Sequence, residues 1–233
     1  MVTGEKESPV SAIDKNLVLT QVVMSAITAP GLAAESSTSP MQPSGSAPAA
    51  RLPKGTSNLQ PLTKDDMKIL SADGSKLLDV QIGDLSDQGG VAALVVLERS
   101  AGDSDSNAGE GHPRTLLLLA RDAQGQLRTL AQNDKIVPCA RCGGVAGDPY
   151  SYSRVAPGRF TVVTEGGSRE RWWNEFHFEY APNINDWILQ KAVRGVRDTA
   201  TGRKKKISLS ARTLGVIRFN DFDPASLPQV KLK

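Results

Sequence analysis

Trp172-Trp173-Asn174-Glu175-Phe176-His177-Phe178-Glu179-Tyr180 is the stretch that decides the fold class. Trp172, Phe176, Phe178 and Tyr180 fall on one parity, and Trp173, Glu175, His177 and Glu179 on the other, most clearly from Asn174 onward. Side chains of a strand alternate between two faces, so this period of two predicts a strand with an aromatic, buried face and a charged, wet one. A helix would scatter the same residues around its axis and leave no apolar stripe.

The pattern continues on both sides. Arg159 to Thr164 and Asp186 to Arg197 read as strands, separated from the central one by the turn-formers Glu165-Gly166-Gly167-Ser168 and Ala181-Pro182-Asn183-Ile184-Asn185. Further upstream, Thr115–Arg121 and Gln126–Ala131 flank Asp122-Ala123-Gln124-Gly125, the signature of a hairpin. Leu77–Leu85 alternates, and Val91–Glu98 is a compact Val/Leu run. Lys206–Leu209 and Gly215–Phe219 are expected as last strands, with Asp221–Pro228 as a closing loop. Only Thr63–Leu70, with Thr63 as N-cap and acids in the first turn, suggests a short helix or, alternatively, another strand. Ser100–Arg114 is acidic and rich in Gly and Ser, and reads as an exposed loop. Short strands at this spacing imply an all-β, mainly antiparallel meander, as a sandwich, barrel or propeller-like array, with at most one short helix. The expected β domain spans 62–233.

Upstream of it the composition changes. Residues 35–61 are Ser-, Pro- and Ala-rich with almost no large apolar side chain, too little to offset ordering entropy, so a disordered linker is expected. Leu17–Ala29 is an uncharged apolar run of signal-peptide length, followed by Pro30, Gly31 and small residues. Residues 1–34 are therefore read as a leader cleaved near 33–35, although Glu5, Glu7 and Asp14 dilute the basic character that such a leader prefers. The implied compartment is periplasmic or extracellular, with no stable membrane span once the leader is removed.

The charge balance excludes more than it identifies. Twenty-eight basic against 25 acidic residues give +3, too mild for a nucleic-acid binder without a strongly basic face. Arg203-Lys204-Lys205-Lys206, with Arg194 and Arg197 just before it, is the one basic run; a solvated strand end explains it more simply than a phosphate patch. No Gly-x-Ser-x-Gly elbow, His-Glu-x-x-His or P-loop occurs, so no catalytic residue and no cofactor is expected.

Cys139 and Cys142 sit in a run dense in Gly and Pro, from Pro138 to Tyr150. Structural disulfide, redox couple, half of a metal site and free thiols are the four readings. A redox pair wants its first thiol at a helix N-terminus, and here Gly143-Gly144 follows instead. Zinc needs four ligands, and His112 and His177 are the only histidines. The favoured reading is a structural disulfide, which would restrict the unfolded chain by about 2 kcal/mol. Asp148 could cap its own loop or touch a ligand. Gly166–Trp173 joins a turn to an aromatic strand, and Trp with Arg is favoured at partner surfaces, although a strand Trp is more often core. Asp148, Tyr150, Arg169, Arg171 and Trp172 are the candidate contacts to an unknown protein or envelope ligand.

Two resemblances add to this reading. Gly83-Asp84-Leu85-Ser86-Asp87-Gln88-Gly89 resembles the calcium loop of FG-GAP or VCBS-type propeller repeats. Ser86 and Gln88 stand where that loop has acids or Asn, Ala92 replaces the late acid and Asp87 is out of phase, so no metal is expected at Asp84 and Asp87. The ordered set of a Cys139-x-x-Cys142-Gly143-Gly144-x-x-Gly147-Asp148-Pro149 loop, a Gly166-Gly167-Ser168-x-x-Arg171-Trp172 turn and a Gly215-x-Ile217-x-Phe219 element resembles a recurring group of bacterial exported proteins of uncharacterised role. That resemblance covers about 78–223 and implies an exported, mostly β protein. The function expected is a non-catalytic binding or interaction module; the alternative is a thiol–disulfide redox protein using Cys139 and Cys142.

Overall fold

Among the described residues of the computed structural model (61–86, 90–99 and 114–233), nine strands build two antiparallel meanders. All of these residues belong to one compact unit, Ser46–Lys233. The expected leader (1–34), the linker (35–61, save Pro61), most of the 100–114 loop and Asp87 lie outside the described residues. The first sheet runs in the order β1 (Lys76–Asp84), β2 (Val91–Glu98), β3 (Arg114–Arg121) and β4 (Leu127–Val137). The second runs β5 (Tyr150–Ala156), β6 (Arg159–Gly167), β7 (Glu170–Ala181), β8 (Asp186–Asp198) and β9 (Lys204–Ser210).

Within each sheet every strand pairs with its neighbour in the chain, because the turns between strands carry the chemistry that reverses them; only β4 and β5, which the Cys139–Cys142 loop joins across the two sheets, do not pair. Asp122 accepts from the amides of Gln124 and Gln126 and pairs with Arg128 at 2.7 Å, while Gly125 takes φ 79° to close the β3–β4 hairpin.

Burial separates two kinds of strand. In β7 only one parity is core: Asn174, Phe176 and Phe178 are buried, and Glu179 on the other face is exposed. β2 and β3 are buried on both faces. Ala92, Leu94, Val96, Leu116 and Leu118 meet Phe160, Val162, Phe176 and Phe178 of the second sheet in one apolar cluster. Ala93, Val95, Leu117 and Leu119, pointing the other way, are covered by Leu62 and Met67. Met67 belongs to the 3₁₀ helix Asp65–Ser71, the helix or strand expected over 63–70; ahead of it the Thr63 amide donates to Asp66 at 2.7 Å. Two-sided burial is why these strands read as continuous apolar runs rather than alternations.

Two expectations need correction. Gly215–Phe219 does not form a strand; only Arg218 makes a bridge, to Ile188. The backbone bonds Leu189 N to Ile217 O (2.9 Å) and Phe219 N to Trp187 O (2.8 Å) instead lay this segment along the part of β8 that β9 does not reach. Phe219 packs edge-on to Phe160 and Phe178, and Phe222 against Phe176 and Phe178. Asn133 holds the turn by donating to the carbonyls of Phe219 (2.6 Å) and Phe222 (2.8 Å). The second correction is β5, which sequence reading left unassigned: Tyr150-Ser-Tyr-Ser-Arg154 carries little apolar patterning, and its pairing with β6 rather than its own composition makes it a strand.

Candidate functional site

The Cys139–Cys142 loop follows β4. The two sulfurs stand 2.05 Å apart, and the Cys142 amide donates to the Cys139 carbonyl, a tight turn. Cys139 is buried and Cys142 exposed. A three-residue 3₁₀ turn, Gly144–Ala146, follows, so no helix of useful length stands behind either sulfur. Gly143 has no room for a side chain, since the Gly147 carbonyl occupies the space, and its own carbonyl accepts from Gly167 N at 2.8 Å. The loop is thereby tied to the Gly166-Gly167 turn between β6 and β7.

Asp148 is fixed by Arg114 of β3. The Arg114 side chain is 1 % exposed and makes two bonds to Glu98 and two to Asp148; its Nη2 lies 2.6 Å from Glu98 Oε2 and 2.6 Å from Asp148 Oδ2. This guanidinium holds the Asp148 carboxyl below its ordinary range. Asp148 also accepts from Tyr150 N. The Tyr150 hydroxyl donates to Asp79 on β1 at 2.5 Å, with Ser153 completing the triangle (2.7 Å to Asp79), and burial followed by that bond pushes its pKa up. Asp148 and Tyr150 thus join the Cys loop and β5 to the first sheet. Arg169 pairs with Asp198 at 3.0 Å, which draws the Asp198 carboxyl down to about 2, and so clamps the β6–β7 turn to the end of β8. Asp84 accepts from Ser86 N at 3.0 Å. Among the described residues no group of three His, Cys, Asp or Glu could hold a metal.

Trp172 and Trp173 point to opposite faces, and each lies across a glycine directly opposite on the next strand: Trp172 over Gly166 and Trp173 over Gly195. A Cβ on either glycine would collide with the indole, so the glycines are what allow the rings to lie flat against the backbone. Register then sets the outer face. Arg171, Arg197 and Lys204 occupy directly opposed positions on β7, β8 and β9, and the next row is Trp173, Gly195 and Lys206. Among the described residues none of these four cations makes an ion pair.

On the inner face, Trp172, Asn174, Arg194, Gly195, Gln229 and Val230 line a cavity of about 280 Å³ under the C-terminal tail. Arg194 donates from Nε to Asn174 Oδ1 (2.9 Å) and from Nη1 to the carbonyls of Pro224, Leu227 and Pro228 (3.0–3.2 Å).

Of the five expected contact residues, the structure brings Arg169, Arg171 and Trp172 to one end of the second sheet, and places Asp148 and Tyr150 in the linkage to the first. The expected contacts did not include Arg114, Trp173 or Asn174, and Arg194 and Arg197, named with the basic run of the sequence, were expected as a solvated strand end. Asn174 had a signal, a polar residue at an aromatic-parity position of β7; Arg197 and Lys204 had one in the basic run, but their alignment with Arg171 in one row exists only through register. Comparison of the chain with known protein families, with curated proteins and with solved structures finds no match.

Proposed function

We propose that this chain is a non-catalytic binding module working in the periplasm or outside the cell, holding an anionic partner, a protein or another envelope component, against the outer face of its second sheet. The observation that carries this reading is the row Arg171–Arg197–Lys204. Like charges directly opposite one another destabilise a sheet. Lysines on β9 serve an edge strand by discouraging further pairing, but Arg171 and Arg197 lie on interior strands where that reason does not apply. An acidic partner supplies the missing counter-charge, and Trp173 beside it supplies a rigid apolar contact. The compartment is supported by the leader-like 1–34 segment and by cysteine sulfurs at bonding distance; no helix among the described residues is long and apolar enough to cross a membrane.

The test is binding to polyglutamate as a function of salt. Wild type binds with an affinity that falls steeply as salt rises, and Arg171→Glu/Arg197→Glu, which keeps a like-charge pair at these two opposed positions, loses that binding while unfolding near the wild-type temperature. Equal binding by both proteins overturns the reading. The thiol–disulfide alternative draws on the oxidised pair with Cys142 at the surface; turnover in an insulin-reduction assay, abolished in Cys142→Ser, supports it, and a flat progress curve from folded protein removes it.

A further inference from the structure

We propose that the inner-face cavity binds one acidic sugar, a hexuronic-acid type ring, with its carboxylate on Arg194 and its ring against Trp172. This site is separate from the outer cationic row and does not depend on it.

The argument starts from an unbalanced charge. All four bonds made by Arg194 go to neutral oxygens, one amide and three backbone carbonyls. Among the described residues its Nη2 has no partner, and it is not one of the buried unpaired atoms, so it remains accessible. No carboxylate offsets its burial, which draws its pKa below the ordinary guanidinium value. A partly buried cation without a counter-ion carries a desolvation cost that a bound anion relieves, and a carboxylate on guanidinium is a short, charge-assisted contact. Arg169 and Arg114, by contrast, already have their acids.

The rest of the lining selects the ligand. Trp172 offers an indole pinned over Gly166, so its orientation is set before anything binds. The face of an indole is negative, and the C–H groups on one face of a pyranose are weakly positive, which favours that packing. Gln229 is exposed, with an amide that makes no hydrogen bond among the described residues, and can serve ring hydroxyls. The volume, about 280 Å³, lies at the small end of ligand pockets, which run from about 300 to 1,000 Å³, and suits a single six-membered ring.

Titration of the full chain with D-glucuronate, followed by calorimetry and tryptophan fluorescence, tests this. Wild type should bind one equivalent with a change in fluorescence, and glucose and acetate should bind at least tenfold more weakly. Val230→Trp places an indole at the cavity and changes none of Arg194's hydrogen-bond partners, and should abolish binding at unchanged thermal stability. Arg194→Lys should weaken it at least tenfold, but that variant also loosens the tail, so Val230→Trp is the deciding protein. Arg171→Glu/Arg197→Glu should bind glucuronate as wild type does, whatever becomes of polyglutamate binding. No glucuronate binding by wild type, undiminished binding by Val230→Trp, or acetate binding as tightly as glucuronate overturns the proposal.

Discussion

Replacing Arg114 by Met separates a structural role for Asp148 from a ligand-contact role. The guanidinium is 1 % exposed and makes four charge-assisted bonds, two to Glu98 and two to Asp148. Methionine fills most of the volume but leaves two carboxylates facing each other without their cation. Breaking a fully buried pair costs about 3–5 kcal/mol. Here the acids are 29 % and 49 % exposed and can recover part of their hydration, which puts the loss at the low end, about 3 kcal/mol. For a domain of this size that lowers Tm by about 6–12 °C. Urea unfolding with a matched calorimetric scan measures it, and the cycle completed by Asp148→Asn should return a coupling above about 1 kcal/mol. A loss below about 1 kcal/mol with no coupling would refute the reasoning, and would return Asp148 to the pool of side chains available to a partner.

Phe178 touches Phe160, Phe219 and Phe222 with ring centroids 5.0–5.6 Å apart, so Phe178→Ala should cost about 3–5 kcal/mol and release the C-terminal segment to limited proteolysis before the sheets unfold. A fragment pattern identical to wild type would mean that the aromatic cluster does not anchor that segment. His177 gives a pH dependence of known sign. Burial depresses its pKa, partly opposed by Glu175 at 3.6 Å, so below the unfolded value of 6.5 the unfolded chain binds more protons than the folded one. Its contribution is full above that value and is lost as pH falls through the folded pKa. The drop in urea midpoint from about pH 7.5 to about pH 5 should therefore be smaller in His177→Gln than in wild type, and equal drops would show that His177 is not responsible.

Where local chemistry suffices, the sequence was legible. Val91–Glu98 alternates poorly yet lies at the limits of β2, because a short apolar run between turn-formers has few other outcomes. The Asp122–Gly125 hairpin follows from an Asp that caps its own turn and a Gly at positive φ. Gly215–Phe219 misled for the opposite reason: Phe219 is buried against the core aromatics while Val216 is exposed, and apolar composition does not distinguish such an anchored segment from a strand. β5 escaped notice because an edge strand can be built on pairing alone.

By itself the sequence determined the all-β class, the aromatic face of the Trp172–Tyr180 strand and the tight loop around Cys139 and Cys142, since periodicity and turn residues act within a few positions of the chain. Only the tertiary structure decided that Asp148 meets Arg114, that Arg171, Arg197 and Lys204 share one row, and that Arg194 lies under the C-terminal tail without an acid. Those facts depend on strand register and on which face meets which, and both are set by packing between residues distant in the chain rather than by any residue's neighbours.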